Sequence, residues 1–247
     1  MPKLKIAIFD LTDCEGCELV FVNLREQIFE LLKKVEIVNW RLTQEANQDT
    51  HFDIAFVEGT SLNSDEIKQL KKIRANSDLL IALGSCACLG GVQGMLSESE
   101  REKYAKKIYG DRYRLSKKKA LPLCAFVKVD YFQNGCPIDP DELKQTLADL
   151  MVGRQPQNKT YAVCFQCKAK QNHSLLKDNQ PCLGPITKGG CNAFCPTNKL
   201  ACTGCWGLIS DPQIENMKEE LEHQNRSEHE INKILDFFLS YQRKNPD

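Results

Sequence analysis

The chain carries no net charge, because 33 Lys and Arg are matched by 33 Asp and Glu. A balanced surface gives no electrostatic footprint for nucleic acid or for an acidic membrane. Nowhere is there an apolar run near the ~18 residues that a membrane-spanning helix requires. No hydrophobic leader and no twin-arginine signal precede the first strand-like run, so a cytoplasmic location is expected. There is no internal repeat of the kind that builds solenoids. An even cysteine count is missing too. Thirteen cysteines in a reducing compartment favour metal or redox chemistry over a disulfide framework.

What is abundant is cysteine, and it is unevenly placed. Seven of the thirteen fall between positions 164 and 205: Cys164, Cys167, Cys182, Cys191, Cys195, Cys202 and Cys205. Proline and glycine are scattered among them, and apolar patterning is weak. Such a segment has few means of building its own core, and thiolate-bound metal is the natural organiser.

The 247 residues suit one large domain, or one domain with an appendage. Short β-rich runs alternate with helical patterns up to about residue 150, which argues for βα units and a mainly parallel sheet, an α/β fold. Strands are expected at Lys5 to Asp10, Glu36 to Trp40, Asp53 to Glu58, Leu79 to Leu83 and Phe126 to Tyr131. Helices are expected at Leu19 to Leu32 (with Leu24, Ile28 and Leu31 inward), Ser64 to Ala75 and Asp139 to Met151. Arg154 to Lys159 reads as a linker. The expected divisions are therefore 1–153, 160–210 and a helical tail at 211–247. Asp211 with Pro212 suits the start of one tail helix. Ser227 with Glu230 suits a capping box for the other, whose Ile231, Ile234, Leu235 and Phe238 should dock on the body or a partner.

Ligands of open parallel sheets bind where loops leave the carboxyl ends of strands. Three such loops carry cysteine: Cys14 and Cys17 in DCEGCE, Cys86 in GSCACLGG, and Cys136 in NGCP. Four thiolates on one sheet edge meet the ligand demand of a four-iron cluster. Gly16, Gly84, Gly90, Gly91 and Gly135 flank them, allowing positive φ and close approach of backbone to a cluster. Taken alone, Cys14 and Cys17 also fit a thioredoxin-like redox pair; the other two loops argue against that. Cys88 and Cys124 read as small buried hydrophobes.

The downstream cysteines almost supply two more sets. Cys191, Cys195, Cys202 and Cys205 form one. Cys164, Cys167 and Cys182 form another that lacks a ligand, for which His173 or Ser174 is placed, since imidazole replaces thiolate at some iron–sulfur centres. His51, His223 and His229 have no such context. Structural zinc stays open here, because tetrahedral thiolate sites suit both metals.

With these residues in view, the chain resembles the small subunit of NiFe hydrogenases, above all soluble multisubunit types such as sulfhydrogenase delta subunits and the small subunits of deazaflavin- or viologen-linked enzymes. The motifs are LTDCEGCE at 11–18, GSCACLGG at 84–91, NGCP at 134–137, PCLGPITKGGCNAFCP at 181–196 and CTGC at 202–205. The resemblance implies a flavodoxin-like domain holding a proximal cluster on Cys14, Cys17, Cys86 and Cys136. It implies a medial cluster on Cys191, Cys195, Cys202 and Cys205, with four irons because Cys195 stands where many relatives have proline. It implies a distal cluster on Cys164, Cys167 and Cys182. The chain departs from the pattern at His173-Ser174-Leu175-Leu176, where close relatives have cysteine before the Leu-rich pair, so His173 is the expected fourth ligand and a three-iron form the alternative. Glu18 matches a family glutamate linked to proton movement; a helix N-terminal glutamate needs no such role. The implied partners are a large subunit holding nickel and iron, and iron–sulfur or flavin subunits serving NAD(P) or a related acceptor.

Three other readings compete. A quinone-linked subunit of the complex I type would share the first fold, but usually has adjacent cysteines at the first site and no downstream cluster segment. A zinc-stabilised interaction module would hold no iron. A relay in a hydrogenase-like complex whose large subunit has lost its metals would look the same in this chain.

Overall fold

Runs such as LKIAIFD, FDIAFVE and SDLLIAL are apolar at both odd and even positions, so both faces of the sheet they form must be covered. The computed structural model, which describes residues 3–24, 32–113 and 119–245, forms them into β1 (Leu4–Asp10), β2 (Val35–Trp40), β3 (Phe52–Glu58), β4 (Ser77–Leu83) and β5 (Tyr131–Gln133). All pairings are parallel, in the order β2-β1-β3-β4-β5. This is a flavodoxin-like doubly wound sheet whose strand order reverses beside β1 and β3.

Alternation sends Ile6, Ile8, Ile54, Phe56, Ile81 and Leu83 to one face. There they pack with Phe21 of α1 (Gly16–Val22) and with Leu143 and Leu147 of α5 (Pro140–Met151). Ala55, Val57, Leu80 and Ala82 take the other face, against Leu70 and Ile73 of α2 (Ser64–Ala75). Asn63 caps α2 with a capping box, and Asp139 caps α5. Of the expected first helix, Gly16–Val22 is helical, and Ile28 and Leu31 lie outside the described residues. Two further helices among the described residues of this half are α3 (Gly84–Leu89) and α4 (Glu98–Tyr109).

Two boundaries differ from the sequence reading. The fifth strand is Tyr131–Gln133, not Phe126 to Tyr131. After Pro122 the chain turns tightly, with the amides of Phe126 and Val127 both donating to the Leu123 carbonyl. Phe126, Val127 and Val129 then fill the core from a loop, which their β propensity alone does not reveal. Likewise α8 runs Ile214–His223 behind Gln213. The Asp211 carboxylate accepts from the Gln213 side chain instead of capping the helix, and the Ile214 amide closes a turn on the Pro212 carbonyl.

Between α5 and α8 lie two short helices, α6 (Val163–Ala169) and α7 (Phe194–Thr197). The last helix, α9 (Glu228–Lys244), starts at the expected Ser227–Glu230 capping box. It docks on the body: Phe238 enters the core beneath the sheet, while Ile231, Leu235 and Leu239 pack with Leu183, Ile186 and Leu208 of the cysteine-rich segment. Each such side chain contributes ~1.5–3 kcal/mol on burial. That outweighs the few tenths per residue of helix propensity, so docking holds α9 in place. No helix among the described residues is long and apolar enough to cross a membrane.

Candidate metal centres

The carboxyl edge of the sheet is where the first four cysteines arrive. After β1, Thr12 and Thr60 exchange backbone hydrogen bonds, and the Asp13 carboxylate accepts the Glu15 amide at 3.0 Å. Glu15 takes a left-handed conformation, and the tight turn delivers Cys14 and Cys17. After β4, Gly84 (φ +80°) starts α3, which carries Cys86. After β5, the Gly135 carbonyl accepts the Ser85 amide at 2.7 Å, which ties the Cys136 loop to the Cys86 loop.

Glycines make the space between these thiols. A Cβ on Gly84 would overlap the Cys17 sulfur, one on Gly91 would stand 2.6 Å from Cys86 Sγ, and one on Gly16 3.2 Å from Cys14 Sγ. The thiols also sense one another. Burial first, then the neighbouring Cys136 and Cys14, pushes Cys86 up to about 12. Burial and then the Glu58 carboxylate raise Cys17. Burial and Cys14 raise Cys136. All thirteen cysteines are free thiols. Four thiols converging in a glycine cradle fit a four-iron cluster, whose positive core would displace their protons on binding. Among the described residues no three metal-ligating side chains close tightly enough around one point to hold a single ion.

Sequence reading missed the residue that fixes this edge. Glu58, at the end of β3, is 2% exposed. One carboxylate oxygen accepts the Cys17 amide at 3.0 Å and the other the Glu18 amide at 2.8 Å. It thereby satisfies two of the orphan donors at the start of α1. A sequence signal existed: after the apolar run Ile54–Val57 an acid closes the strand on the edge where the cysteine loops gather.

Glu18 is not a surface helix-terminal acid. It is 1% exposed. Its Oε2 accepts the Trp40 indole N–H at 2.7 Å, and its Oε1 has no partner among the described residues. Burial, with Asp10, Glu58 and Asp13 adding, pushes its carboxyl up to about 7 against the indole bond.

In the downstream segment, a left-handed turn at Asn192 and Ala193 brings Cys191 back toward Cys195. Cys205 is pushed up to about 12 by burial, then by Cys191 and Cys195. Cys202 lies beside Cys205 and Cys182. Cys164 is raised to about 11 by burial, then by Cys182 and Cys167. A Cβ on Gly184 would meet Cys164 Sγ at 3.2 Å and Cys182 Sγ at 3.6 Å, so a second glycine cradle lies here. Cys182 stands between the two sets, since its sulfur also accepts the Cys202 amide at 3.3 Å. His173 Nε2 contacts Asp178 Oδ1 at 2.9 Å, on the exposed side of the segment. The sheet edge and the downstream segment meet directly: the Ser85 hydroxyl donates to the Cys205 carbonyl at 2.7 Å, and Cys136 is among the groups that Cys205 senses.

Of the two spare cysteines, Cys88 is buried as expected, its thiol within reach of the Ala82 and Gln133 carbonyls. Cys124 is instead exposed. It sits in the tight turn after Pro122, so the expectation of a buried hydrophobe fails there.

Comparison with known proteins follows this geometry. The family model described as NADH ubiquinone oxidoreductase, 20 Kd subunit, matches residues 14–150, the stretch that carries all three cysteine loops of the sheet edge. The sulfhydrogenase 2 delta subunit of Pyrococcus furiosus is 38% identical over 221 residues, covering 89% of this chain and 92% of that protein. An NAD+-reducing NiFe hydrogenase structure in its H2-reduced state aligns with TM-score 0.54 at 27% identity, over 63% of this chain and 95% of the other. A NiFeSe hydrogenase of Dm. baculatum has the same fold over 83% of this chain and 95% of its own, with TM-score 0.58 and 16% identity.

Proposed function

This chain belongs to the NADH ubiquinone oxidoreductase 20 Kd subunit family and is a hydrogenase small subunit by homology, and we propose that it relays electrons through three bound iron–sulfur clusters. When bound, such clusters supply one-electron carriers; H2 cleavage or formation would belong to a partner large subunit holding nickel and iron. The residues of this chain supply ligation, spacing and burial. Cys14, Cys17, Cys86 and Cys136 hold the proximal group, Cys191, Cys195, Cys202 and Cys205 the medial group, and Cys164, Cys167 and Cys182 the distal group. The observation that carries this reading is the contact between the two cysteine regions, where the hydroxyl of Ser85, next to Cys86, donates to the Cys205 carbonyl at 2.7 Å. It joins the backbone around a ligand of one set to that of a ligand of the next.

The test is iron and acid-labile sulfide per chain, on the complex purified without oxygen. About 12 iron per small subunit, after subtraction of the partners' share, is expected for three four-iron clusters. About 4 iron with zinc making up the rest overturns the relay beyond the sheet edge.

His173 is the proposed fourth distal ligand. Its contact with Asp178 follows the common pattern in which a carboxylate orients a ligating imidazole through the other ring nitrogen. His173→Ala should change the distal cluster's electron paramagnetic resonance signal and leave the proximal and medial signals as they were; an unaltered distal signal rules this ligand out. Glu18 is the proposed proton-handling residue, on its burial and its unpartnered oxygen beside Cys17. The large subunit is expected to cover this corner, where Leu19 and Val22 stand exposed three residues apart on α1. Iron–sulfur or flavin partners serving NAD(P) or a related acceptor would receive electrons at the distal end. A cytoplasmic location fits these free thiols.

A further inference from the structure

The cysteine-rich segment is basic in a chain of zero net charge. Residues 159–208 hold six lysines and one acid, Asp178. Lys159 reaches Glu142 at 3.6 Å, and Lys188 is half-buried. Lys168, Lys170, Lys177 and Lys199 are exposed and have no carboxylate partner among the described residues. Several exposed cations elsewhere are paired, Arg41 with Asp10 and Glu15, Lys68 with Asp65 and Arg154 with Asp149.

The same segment exposes three large apolar side chains. Phe165, Phe194 and Leu200 are 65%, 66% and 59% exposed. Phe165 lies between Cys164 and Cys167, Phe194 adjoins Cys195, and Lys199 adjoins Leu200. The segment's other side is already used, with Leu183, Ile186 and Leu208 packed on Met217, Leu221, Leu235 and Leu239. Phe165, Phe194 and Leu200 take no part in that packing. Exposed aromatics among unpaired charges have the composition of an interface whose apolar centre binds and whose charged rim steers.

We infer that this face docks an acidic electron-carrier protein, one whose own redox centre is rimmed by carboxylates. The inference rests on the relay reading above and adds the sign and chemistry of the partner. Unpaired exposed cations accelerate encounter with an acidic partner, and salt screens that effect over a Debye length of ~10 Å at 0.1 M.

The test uses the native complex purified without oxygen. Zero-length carbodiimide coupling, followed by mass spectrometry, should join Lys168, Lys170, Lys177 or Lys199 to Asp or Glu of an identified redox protein, either a co-purified subunit or an added acidic ferredoxin. Coupling of these lysines to the large subunit overturns the proposal, and so does finding them unlinked and freely acetylated. In the same preparation, H2-driven reduction of the acidic ferredoxin should fall roughly tenfold between low and high salt, as steered association does. Reduction of methyl viologen, a cation, should not fall. The double variant Lys170→Glu, Lys199→Glu should lower the ferredoxin rate at low salt and spare the viologen rate; ferredoxin rates indifferent to both salt and substitution overturn the proposal. Loss of viologen reduction in the unaltered complex would instead refute the relay reading and leave the coupling result standing.

Discussion

Gly84→Ala should empty the proximal set. The new methyl would occupy the position of the Cys17 sulfur, and the backbone at φ +80° disfavours any side chain. The backbone penalty alone is ~1–2 kcal/mol, which the fold can absorb. The overlap cannot be absorbed so cheaply, because the nearby atoms include the Gly135 carbonyl at 3.5 Å and the Cys17 Cβ at 3.6 Å. Cys17 must therefore rotate out of the cradle. About 4 of about 12 iron per chain should be lost, and with them the proximal spectroscopic signal. Gly153→Ala is the control, for Gly153 has φ +71° but nothing within 4 Å of the place its methyl would take. It carries the backbone cost without the overlap and should keep its full iron content. Equal iron in both variants would refute the cradle.

Glu58→Ala should release the same corner from the opposite side. It strands the amides of Cys17 and Glu18, both buried. Each orphaned buried donor costs ~1–3 kcal/mol, so a loss of ~2–6 kcal/mol is expected, a large share of the ~5–15 kcal/mol that holds a domain together. The expected outcome is a lowered thermal midpoint together with loss of proximal iron. Glu58→Gln separates charge from geometry. It keeps one accepting oxygen but turns an N–H group toward the second amide, so it should recover only part of the stability. Full recovery by Gln would mean that the two hydrogen bonds do not set the Cys17 position.

Much of the architecture was legible beforehand because it depends on local patterning. Apolar residues at successive positions marked strands covered on both faces, and the order of strands and helices admits few right-handed parallel arrangements. The capping box at Ser227 and the helix at Ser64–Ala75 are read from a few neighbouring residues. Reading failed where a distant contact overrode a local preference. Phe126 to Tyr131 has strand chemistry, yet the turn after Pro122 makes most of it loop. Asp211 and Pro212 have helix-start chemistry, yet Gln213 takes the Asp211 carboxylate.

By itself, the sequence determined the donor chemistry: thirteen cysteines, three loops at strand ends, and a downstream segment too poor in apolar pattern to fold on its own core. Spacing along the chain is enough for that, since loop position relative to a strand follows from order alone. Only the tertiary structure decided that Glu58 clamps the Cys17 turn, that Glu18 is sealed against Trp40, and that the Ser85 hydroxyl reaches the Cys205 carbonyl. Those contacts join residues 22 to 120 positions apart. Their geometry depends on how the sheet twists and how α9 pins the downstream segment against it, and no local pattern encodes that distance.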